Sequence, residues 1–251
     1  MMNWTKKKIE NYKVASDYTL FHKKLSVLAE PYLDSGWTLA DIGCGPGLLS
    51  FKLAPMVRSI DAIDNDSAAI EDLKKHLDDI VATDRRTADK ITPWLADIEE
   101  LKSESWDVVT MCFFGVDEEI LETVLPLANH RALIYMHGRP DKNSPIAALD
   151  DGDKFSMADM ENYLKQKNLI YKKNVMEMQF GQPFRTIDDI HRFLMEYRVK
   201  LEVSGSDTAQ DGGMEMYFSD IEDRIVQTNR FDYPYYLPKS INVAMFIIKT
   251  Q

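Results

Sequence analysis

The chain has 251 residues, of which 45% are hydrophobic and 28% are charged, proportions that are typical of a folded globular protein. Its 41 acidic residues outnumber its 30 basic residues, and the formal net charge of −11 argues against a long nucleic acid as the substrate. No apolar run approaches the roughly 20 residues that a membrane-spanning helix needs, and no apolar segment follows the basic N-terminus as in a secretory signal. We therefore expect a cytoplasmic protein without a membrane partner. The two cysteines are too few for a thiolate metal cluster, and we expect no metal site.

The first element is predicted to be a helix over residues 9–33, where apolar side chains recur every three or four positions. Apolar strands and amphipathic helices then alternate: strand 37–42, helix 48–53, strand 59–63, helix 67–77 with Ser67 as its N-cap, strands 91–95 and 106–114, helix 118–127 and strand 131–136. This alternation predicts a parallel sheet that is covered by helices on both faces.

The last third of the chain has a different pattern. Two capping boxes, Ser156 with Asp159 and Thr186 with Asp189, predict the starts of two amphipathic helices, and residues 169–180 between them are predicted to be extended. A flexible loop is predicted at 204–213, a helix at 214–227 and a final strand at 241–248.

A glycine-rich turn follows the first predicted strand, in the sequence Asp41-Ile42-Gly43-Cys44-Gly45-Pro46-Gly47. Such a turn between a strand and a helix lets backbone N–H groups approach a nucleotide-like ligand. The dinucleotide fingerprint Gly-x-Gly-x-x-Gly would need a glycine where Leu48 stands, and the third glycine is Gly47 instead. With its leading Asp41, the turn resembles the first motif of the class I S-adenosylmethionine-dependent methyltransferases, and the resemblance extends over residues 35–140.

The resemblance implies a fold and a cofactor, S-adenosyl-L-methionine. The implied fold is α/β, a Rossmann-like three-layer sandwich whose seven-stranded sheet is mostly parallel with an antiparallel last strand. The chain would divide into an N-terminal helical cap (1–35), the cofactor-binding core (36–183), a helical insertion (184–239) and the last core strand (240–251). The insertion could be a lid over the acceptor site, whereas its aromatic residues could equally form a satellite core or a homodimer contact.

The resemblance also assigns cofactor contacts by position. The methionine part would contact Asp41 and the backbone of the turn, which includes Gly43, Cys44, Gly45 and Gly47. Asp64, at the end of the second strand, would accept the ribose hydroxyls, although Asp66 could be confused with it. The adenine would lie near Asn65, Asp97 and Ile98, and Asp97 as a helix N-cap is the competing interpretation. Cys112 and Phe113 would lie beneath the sulfonium and the transferable methyl group.

The acceptor side is less well defined by sequence. His137 follows the fifth strand at the carboxyl edge of the sheet and could deprotonate an acceptor, although a histidine bonded to loop backbone is the alternative. His22 and Arg185 are further candidates for acceptor binding. No catalytic residue is identified, and none is required, because methyl transfer from a sulfonium needs mainly positioning and exclusion of water.

Three functions are consistent with these patterns. The favoured one is methyl transfer to a small-molecule acceptor. The sequence Cys112-Phe113-Phe114-Gly115 lacks the Asn/Asp-Pro-Pro-Tyr/Phe motif of enzymes that methylate amide or adenine nitrogen, and no Pro-Cys pair of a cytosine C5 methyltransferase stands there. The alternatives are a nicotinamide-dependent oxidoreductase, against which Leu48 argues, and a non-catalytic relative that keeps the fold as a binding module.

Overall fold

The computed structural model of the protein describes residues 4–137, 155–203 and 224–250. It opens with two helices, α1 (Lys6–Thr19) and α2 (Phe21–Ala29). The prediction of one helix over 9–33 is wrong, because Leu20 between them has left-handed backbone with a φ of 56°. Its side chain is 52% exposed, so the break is not enforced by burial of that side chain.

After the helical start, the described residues contain ten strands. They are β1 (Thr38–Ile42), β2 (Ser59–Asp64), β3 (Ile91–Leu95), β4 (Trp106–Cys112), β5 (Ala128–His137), β6 (Ile170–Gln179), β7 (Gln182–Phe184), β8 (Val226–Gln227), β9 (Tyr235–Leu237) and β10 (Ser240–Lys249). Seven of them form the main sheet in the order β3-β2-β1-β4-β5-β10-β6, and β7-β9-β8 form a small antiparallel sheet.

The main sheet has one antiparallel strand. Strands β1 to β5 pair with their neighbours in parallel, whereas β10 runs antiparallel to both β5 and β6. This is the predicted Rossmann-like sheet with an antiparallel last strand, and that prediction is confirmed. The parallel strands all end at one edge of the sheet, which is where ligands bind in open α/β sheets.

Helices cover both faces of this sheet. Those that follow α2 are α3 (Leu48–Leu53), α4 (Ser67–Ile80), α5 (Arg85–Ala88), α6 (Glu118–Val124), α7 (Met157–Gln166) and α8 (Ile187–Val203). Leu39 of β1 belongs to a core with side chains of α2, α3 and α4, whereas Ala40 belongs to a second core with side chains of α6 and α7. The two cores arise because successive side chains of a strand point to opposite faces of the sheet.

The start of α4 differs from the prediction by one residue. Asp66 is the N-cap, and its carboxylate accepts hydrogen bonds from the backbone N–H groups of Ala68 at 2.9 Å and Ala69 at 3.3 Å. The prediction of Ser67 as the cap is therefore wrong. Aspartate and serine cap helices about equally well, so residue preference alone does not choose between adjacent positions.

Both capping boxes of the last third are present, at the starts of α7 and α8. The helix predicted over 214–227 is wrong at its end, because Val226–Gln227 forms β8 and pairs with β9. Its earlier part and the loop predicted at 204–213 lie outside the described residues. Among the described helices, none has both the length and the apolar character needed to cross a bilayer.

Candidate functional site

A cavity of about 440 Å³ opens at the carboxyl edge of the parallel strands. This volume lies within the range of small-molecule sites, roughly 300–1,000 Å³. Acidic residues and the glycine turn line one end, and aromatic side chains from α1, α2 and the ends of β4 and β6 line much of the rest. Of the predicted site residues, the lining includes His22, Asp41, Gly43, Cys44, Gly45, Asp64, Cys112 and His137.

The three glycines of the turn have different surroundings. Gly43, Gly45 and Gly47 all have positive φ, at 71°, 54° and 74°, which only glycine adopts without strain. Gly43 and Gly45 line the cavity, and added Cβ atoms there would lie 2.1 Å from the Phe114 ring and 2.8 Å from the Trp4 ring, respectively. Gly47 instead starts α3, and its Cβ would lie 2.6 Å from Leu73 of α4.

Asp41 is buried at the end of β1 that faces the cavity. Its Oδ2 accepts a hydrogen bond from the Ser50 hydroxyl, whereas its Oδ1 is buried without a hydrogen-bond partner among the described residues. Burial raises the pKa of Asp41 to about 7, with a smaller contribution from the charge of Asp64 and an opposing one from Ser50. A buried acceptor without a partner is costly, so Oδ1 is poised to accept a hydrogen bond from a bound donor.

Asp64 ends β2 and is half-buried. Its Oδ2 accepts the backbone N–H of Gly45 at 2.8 Å, and its Oδ1 accepts the backbone N–H of Asp66 at 2.9 Å. Burial raises the pKa of Asp64, although these hydrogen bonds oppose the shift. The backbone N–H of Asn65 also acts on this carboxylate, but its two oxygens together can accept about four hydrogen bonds, so Asp64 can still accept one from a ligand.

The residues predicted to contact adenine cluster at the ends of β2 and β3. Asn65 Nδ2 donates to Asp97 Oδ2 at 2.9 Å, and this bond is the leading reason that the pKa of Asp97 lies below its usual range. Asp97 also caps the 3-10 turn Ile98–Leu101, so the competing N-cap interpretation describes a real contact. None of Asn65, Asp97 and Ile98 is among the described residues that line the cavity.

The two cysteines are unpaired and lie in the cavity wall. Cys112 ends β4, and Cys44 lies in the glycine turn. Burial raises the pKa of both thiols well above the usual value, and the negative charge of Asp41 adds to the shift. Both are therefore neutral thiols near pH 7, which are poor nucleophiles. Among the described residues, no three His, Cys, Asp or Glu side chains converge as a metal site would require.

The three residues predicted to bind the acceptor lie in different surroundings. His22 is buried in α2, with Nε2 at 3.0 Å from the Tyr12 hydroxyl and Nδ1 at 2.6 Å from Ser16 Oγ. His137 ends β5 and stacks on the Phe113 ring at a centroid distance of 4.2 Å. Arg185 lies over the Tyr233 ring, 5.4 Å from its centroid, and is not among the described lining residues.

Several aromatic residues that line the cavity were not predicted as site residues from the sequence. They are Trp4, Tyr12, Phe21, Phe114, Phe180 and Phe193, whereas Phe113, which was predicted to lie under the sulfonium with Cys112, is also in the lining. Tyr12 and Phe21 belong to the periodic apolar pattern of the N-terminal helices, which does not separate core positions from cavity positions. Phe113 has a φ of 54°, an uncommon left-handed conformation for a bulky residue, at the point where β4 meets the cavity.

Residues 39–130 match the family model of a methyltransferase domain. These residues form a methyltransferase domain. The resemblance carried by the glycine turn is therefore confirmed, and S-adenosyl-L-methionine is the cofactor of this domain. The match favours methyl transfer over the nicotinamide-dependent oxidoreductase, in agreement with Leu48 at the third position of the dinucleotide fingerprint.

Solved structures share the fold of this methyltransferase at low sequence identity. A protein assigned as a methyltransferase from Bacillus halodurans C-125 is 13% identical with a TM-score of 0.56, over 92% of this chain and 99% of that chain. The YcgJ protein of Bacillus subtilis is 15% identical with a TM-score of 0.53, over 90% and 97%. Magnesium protoporphyrin IX methyltransferase from Synechocystis PCC 6803, with bound S-adenosylhomocysteine, is 13% identical with a TM-score of 0.52, over 99% and 89%. No curated protein matches the chain in sequence.

Proposed function

We propose that the protein transfers the methyl group of S-adenosylmethionine to a small-molecule acceptor. The observation that carries the proposal is the cavity itself: the glycine turn, Asp41 and Asp64 form one end, and aromatic side chains such as Tyr12 and Phe180 form the walls beside it. Donor and acceptor sites would thus share one space of about 440 Å³, which suits a small acceptor better than a polymer. The net charge of −11 also disfavours nucleic acid as the acceptor.

The cofactor end of the cavity fits the cofactor chemically. The unpaired Oδ1 of Asp41 would accept a hydrogen bond from the ammonium group of the methionine part, and Gly43 and Gly45 leave room for a ligand against the backbone. The remaining acceptor capacity of Asp64 suits the ribose hydroxyls. Asn65, Asp97 and Ile98 would contact the adenine, and Cys112 would lie near the sulfur.

When bound, the cofactor supplies a methyl group that is already activated by the positively charged sulfur. The protein then has to hold the acceptor in line and exclude water from the reacting atoms. Phe21, Phe113 and Phe180 contribute apolar surface to the cavity for this purpose. His137, at the carboxyl edge of β5, is the candidate group for taking a proton from an acceptor hydroxyl or amine.

The insertion 184–239 is proposed as the lid of the acceptor site. Phe193 of α8, Leu237 of β9 and Lys239 belong to it and line the cavity. Arg185 lies in the same segment, and its contact with Tyr233 suggests that it supports the lid instead of touching the acceptor. A homodimer contact through the exposed Phe231 remains a second proposal for this segment, and analytical ultracentrifugation would test it.

Calorimetric titration with S-adenosylhomocysteine tests the cofactor site. We expect the wild type to bind and Asp64→Ala to lose most of its affinity. The control is Asp89→Ala, an exposed carboxylate just after α5, which should bind as the wild type does. Absence of binding to the wild type would refute the proposal.

Turnover is tested by incubating the protein with deuterated-methyl S-adenosylmethionine and a small-molecule extract. We expect a product that carries the labelled methyl group. Binding without any methylated product, together with a stable protein partner, would instead support the non-catalytic module.

A further inference from the structure

One side of α1 lines the cavity along most of its length. Lys8, Asn11, Tyr12 and Ala15 all contribute to the lining and are spaced by three or four residues, as positions on one helix face are. Tyr12 of this face contacts Phe180, and the two rings meet edge-on at a centroid distance of 5.4 Å.

The Tyr12 hydroxyl belongs to a short chain of hydrogen bonds with His22 and Ser16. His22 Nδ1 lies 2.6 Å from Ser16 Oγ, and His22 Nε2 lies 3.0 Å from the Tyr12 hydroxyl. Burial lowers the pKa of His22 to about 3, with a further contribution from the charge of Lys52, so the imidazole is neutral and carries one N–H. Ser16, His22 and Tyr12 together carry three N–H or O–H protons but form only two hydrogen bonds with one another. One of the three protons is therefore left to point away from this group.

The outward proton is that of Tyr12. If His22 donated from Nδ1, the buried Ser16 hydroxyl would keep a proton without an acceptor among the described residues, at a cost of about 1–3 kcal/mol. If Ser16 donates to Nδ1 and Nε2 donates to Tyr12, only the Tyr12 proton is left, and Tyr12 lines the cavity. Burial raises the pKa of Tyr12 well above its usual value, so the phenol remains a donor.

Two lysines line the same cavity. Lys8 lies one helical turn before Tyr12 on α1. Lys239 precedes β10, and its carbonyl accepts the backbone N–H of Phe180 at 2.8 Å, which places it beside the residue that the Tyr12 ring contacts. The lining carboxylates Asp41 and Asp64 lie instead at the ends of β1 and β2. The lining therefore contains two carboxylates at the ends of β1 and β2, and the Tyr12 hydroxyl and two lysines on α1 and just before β10; the charge of Asp41 also acts on Tyr12 and adds to the rise in its pKa.

We propose that Tyr12, Lys8 and Lys239 form an oxyanion-binding subsite, and that the methyl acceptor is an aromatic or otherwise apolar small molecule with a carboxylate. The aromatic rings around the cavity receive the body of the acceptor, and His22 positions the Tyr12 hydroxyl through its Nε2–H. This inference rests on the proposed function, because it identifies the acceptor class of the same site.

The test is a binding comparison on the full-length protein saturated with S-adenosylhomocysteine. Carboxylates and their amides are titrated as matched pairs: 4-hydroxybenzoate with 4-hydroxybenzamide, cinnamate with cinnamamide, and indole-3-acetate with indole-3-acetamide. The amide keeps the shape and loses the charge, so the ratio of the two affinities measures recognition of the anion. We expect at least one carboxylate to bind roughly tenfold or more tightly than its amide, as a charge-assisted hydrogen bond allows.

Variants then identify which residues cause the preference for the carboxylate over its amide. Tyr12→Phe and Lys239→Gln should each lower the ratio severalfold, whereas the matched changes Tyr171→Phe and Lys172→Gln on β6, outside the cavity lining, should leave it unchanged. A general loss of packing would lower both affinities of a pair and would leave their ratio unaltered.

The inference is overturned if no carboxylate in the panel binds more tightly than its amide, or if the preference survives in both Tyr12→Phe and Lys239→Gln. Binding of S-adenosylhomocysteine with either result leaves the proposed methyltransferase function standing. Failure of S-adenosylhomocysteine itself to bind would refute the proposed function together with this inference.

Discussion

The buried carboxylate of Asp41 accepts the Ser50 hydroxyl through Oδ2, while its Oδ1, beside the cavity, has no hydrogen-bond partner among the described residues. Asp41, the first residue of the glycine motif, is thus held in place by Ser50 of α3, and its Oδ1 can still accept a hydrogen bond from a ligand. A buried group of this kind lowers the stability of the protein without ligand, as residues that bind ligands often do.

Replacing Asp41 by asparagine should change how stability depends on pH. The pKa of Asp41 rises from its ordinary value of 3.8 to about 7 in the folded protein, so between these values the unfolded chain has lost a proton that the folded protein retains. A raised folded-state pKa makes the free energy of unfolding fall as the pH rises through this window, by roughly 1.4 kcal/mol per pH unit. Urea denaturation from pH 4 to 8, without cofactor, should show that the stability of the wild type relative to Asp41→Asn falls as the pH rises, because the variant keeps every other titrating group, His22 included. Parallel pH dependences would contradict the burial argument.

His22 should make the protein sensitive to acid. Its pKa is lowered from 6.5 to about 3, so as the pH falls through this window the unfolded chain takes up a proton that the folded protein rejects. The contribution of His22 to stability is complete above about pH 6.5 and declines below it by roughly 1.4 kcal/mol per pH unit, which in the wild type opposes the trend due to Asp41. His22→Gln should remove this part of the decline, and His191→Gln, at an exposed position, should keep it. Equal acid dependence in all three proteins would show that His22 is not the cause.

Alanine at two glycines of the turn should separate binding from stability. Gly47→Ala brings a Cβ to 2.6 Å from Leu73 and keeps a positive φ, so we expect a loss of about 2–4 kcal/mol in the free energy of unfolding. Gly43→Ala also keeps a positive φ and brings a Cβ to 2.1 Å from Phe114, so it should lose stability too; because Gly43 lines the cavity, we expect it in addition to weaken binding of S-adenosylhomocysteine by about tenfold or more, whereas Gly47→Ala should not. Thermal denaturation and calorimetry on both variants measure the two effects. The opposite assignment would contradict the different surroundings of these glycines.

Glycine at position 20 should stabilise the junction of α1 and α2. Leu20 has a φ of 56° and an exposed side chain, so Leu20→Gly relieves left-handed strain with little loss of packing. We expect a gain of about 1 kcal/mol in the free energy of unfolding, measured by chemical denaturation. Leu20→Ala is the matched control, because it removes the side chain beyond Cβ and keeps the strained backbone. An equal gain in both variants would show that the exposed leucine, and not the backbone, limits stability.

The local sequence was sufficient to predict the central architecture. Short apolar runs, the glycine turn after Asp41 and the two capping boxes depend on neighbouring residues, and they predicted the parallel strands, the helix starts and the cofactor. Where two adjacent residues could serve equally, as at Asp66 and Ser67, local preference was not enough. The break at Leu20 escaped prediction, because no glycine, asparagine or proline marks it.

The acceptor side of the site was decided by the tertiary structure. The apolar spacing of the N-terminal helices includes Tyr12, but it does not tell which helix face meets the sheet and which meets the cavity. The Lys239 carbonyl accepts the Phe180 N–H because β10 pairs with β6 across a long insertion, and Tyr12 meets Phe180 because α1 contacts β7, which starts two residues after Phe180. The sequence by itself determined the fold and the cofactor, since both depend on contiguous motifs. The tertiary structure determined which side chains surround the acceptor, since those contacts join residues that are far apart along the chain.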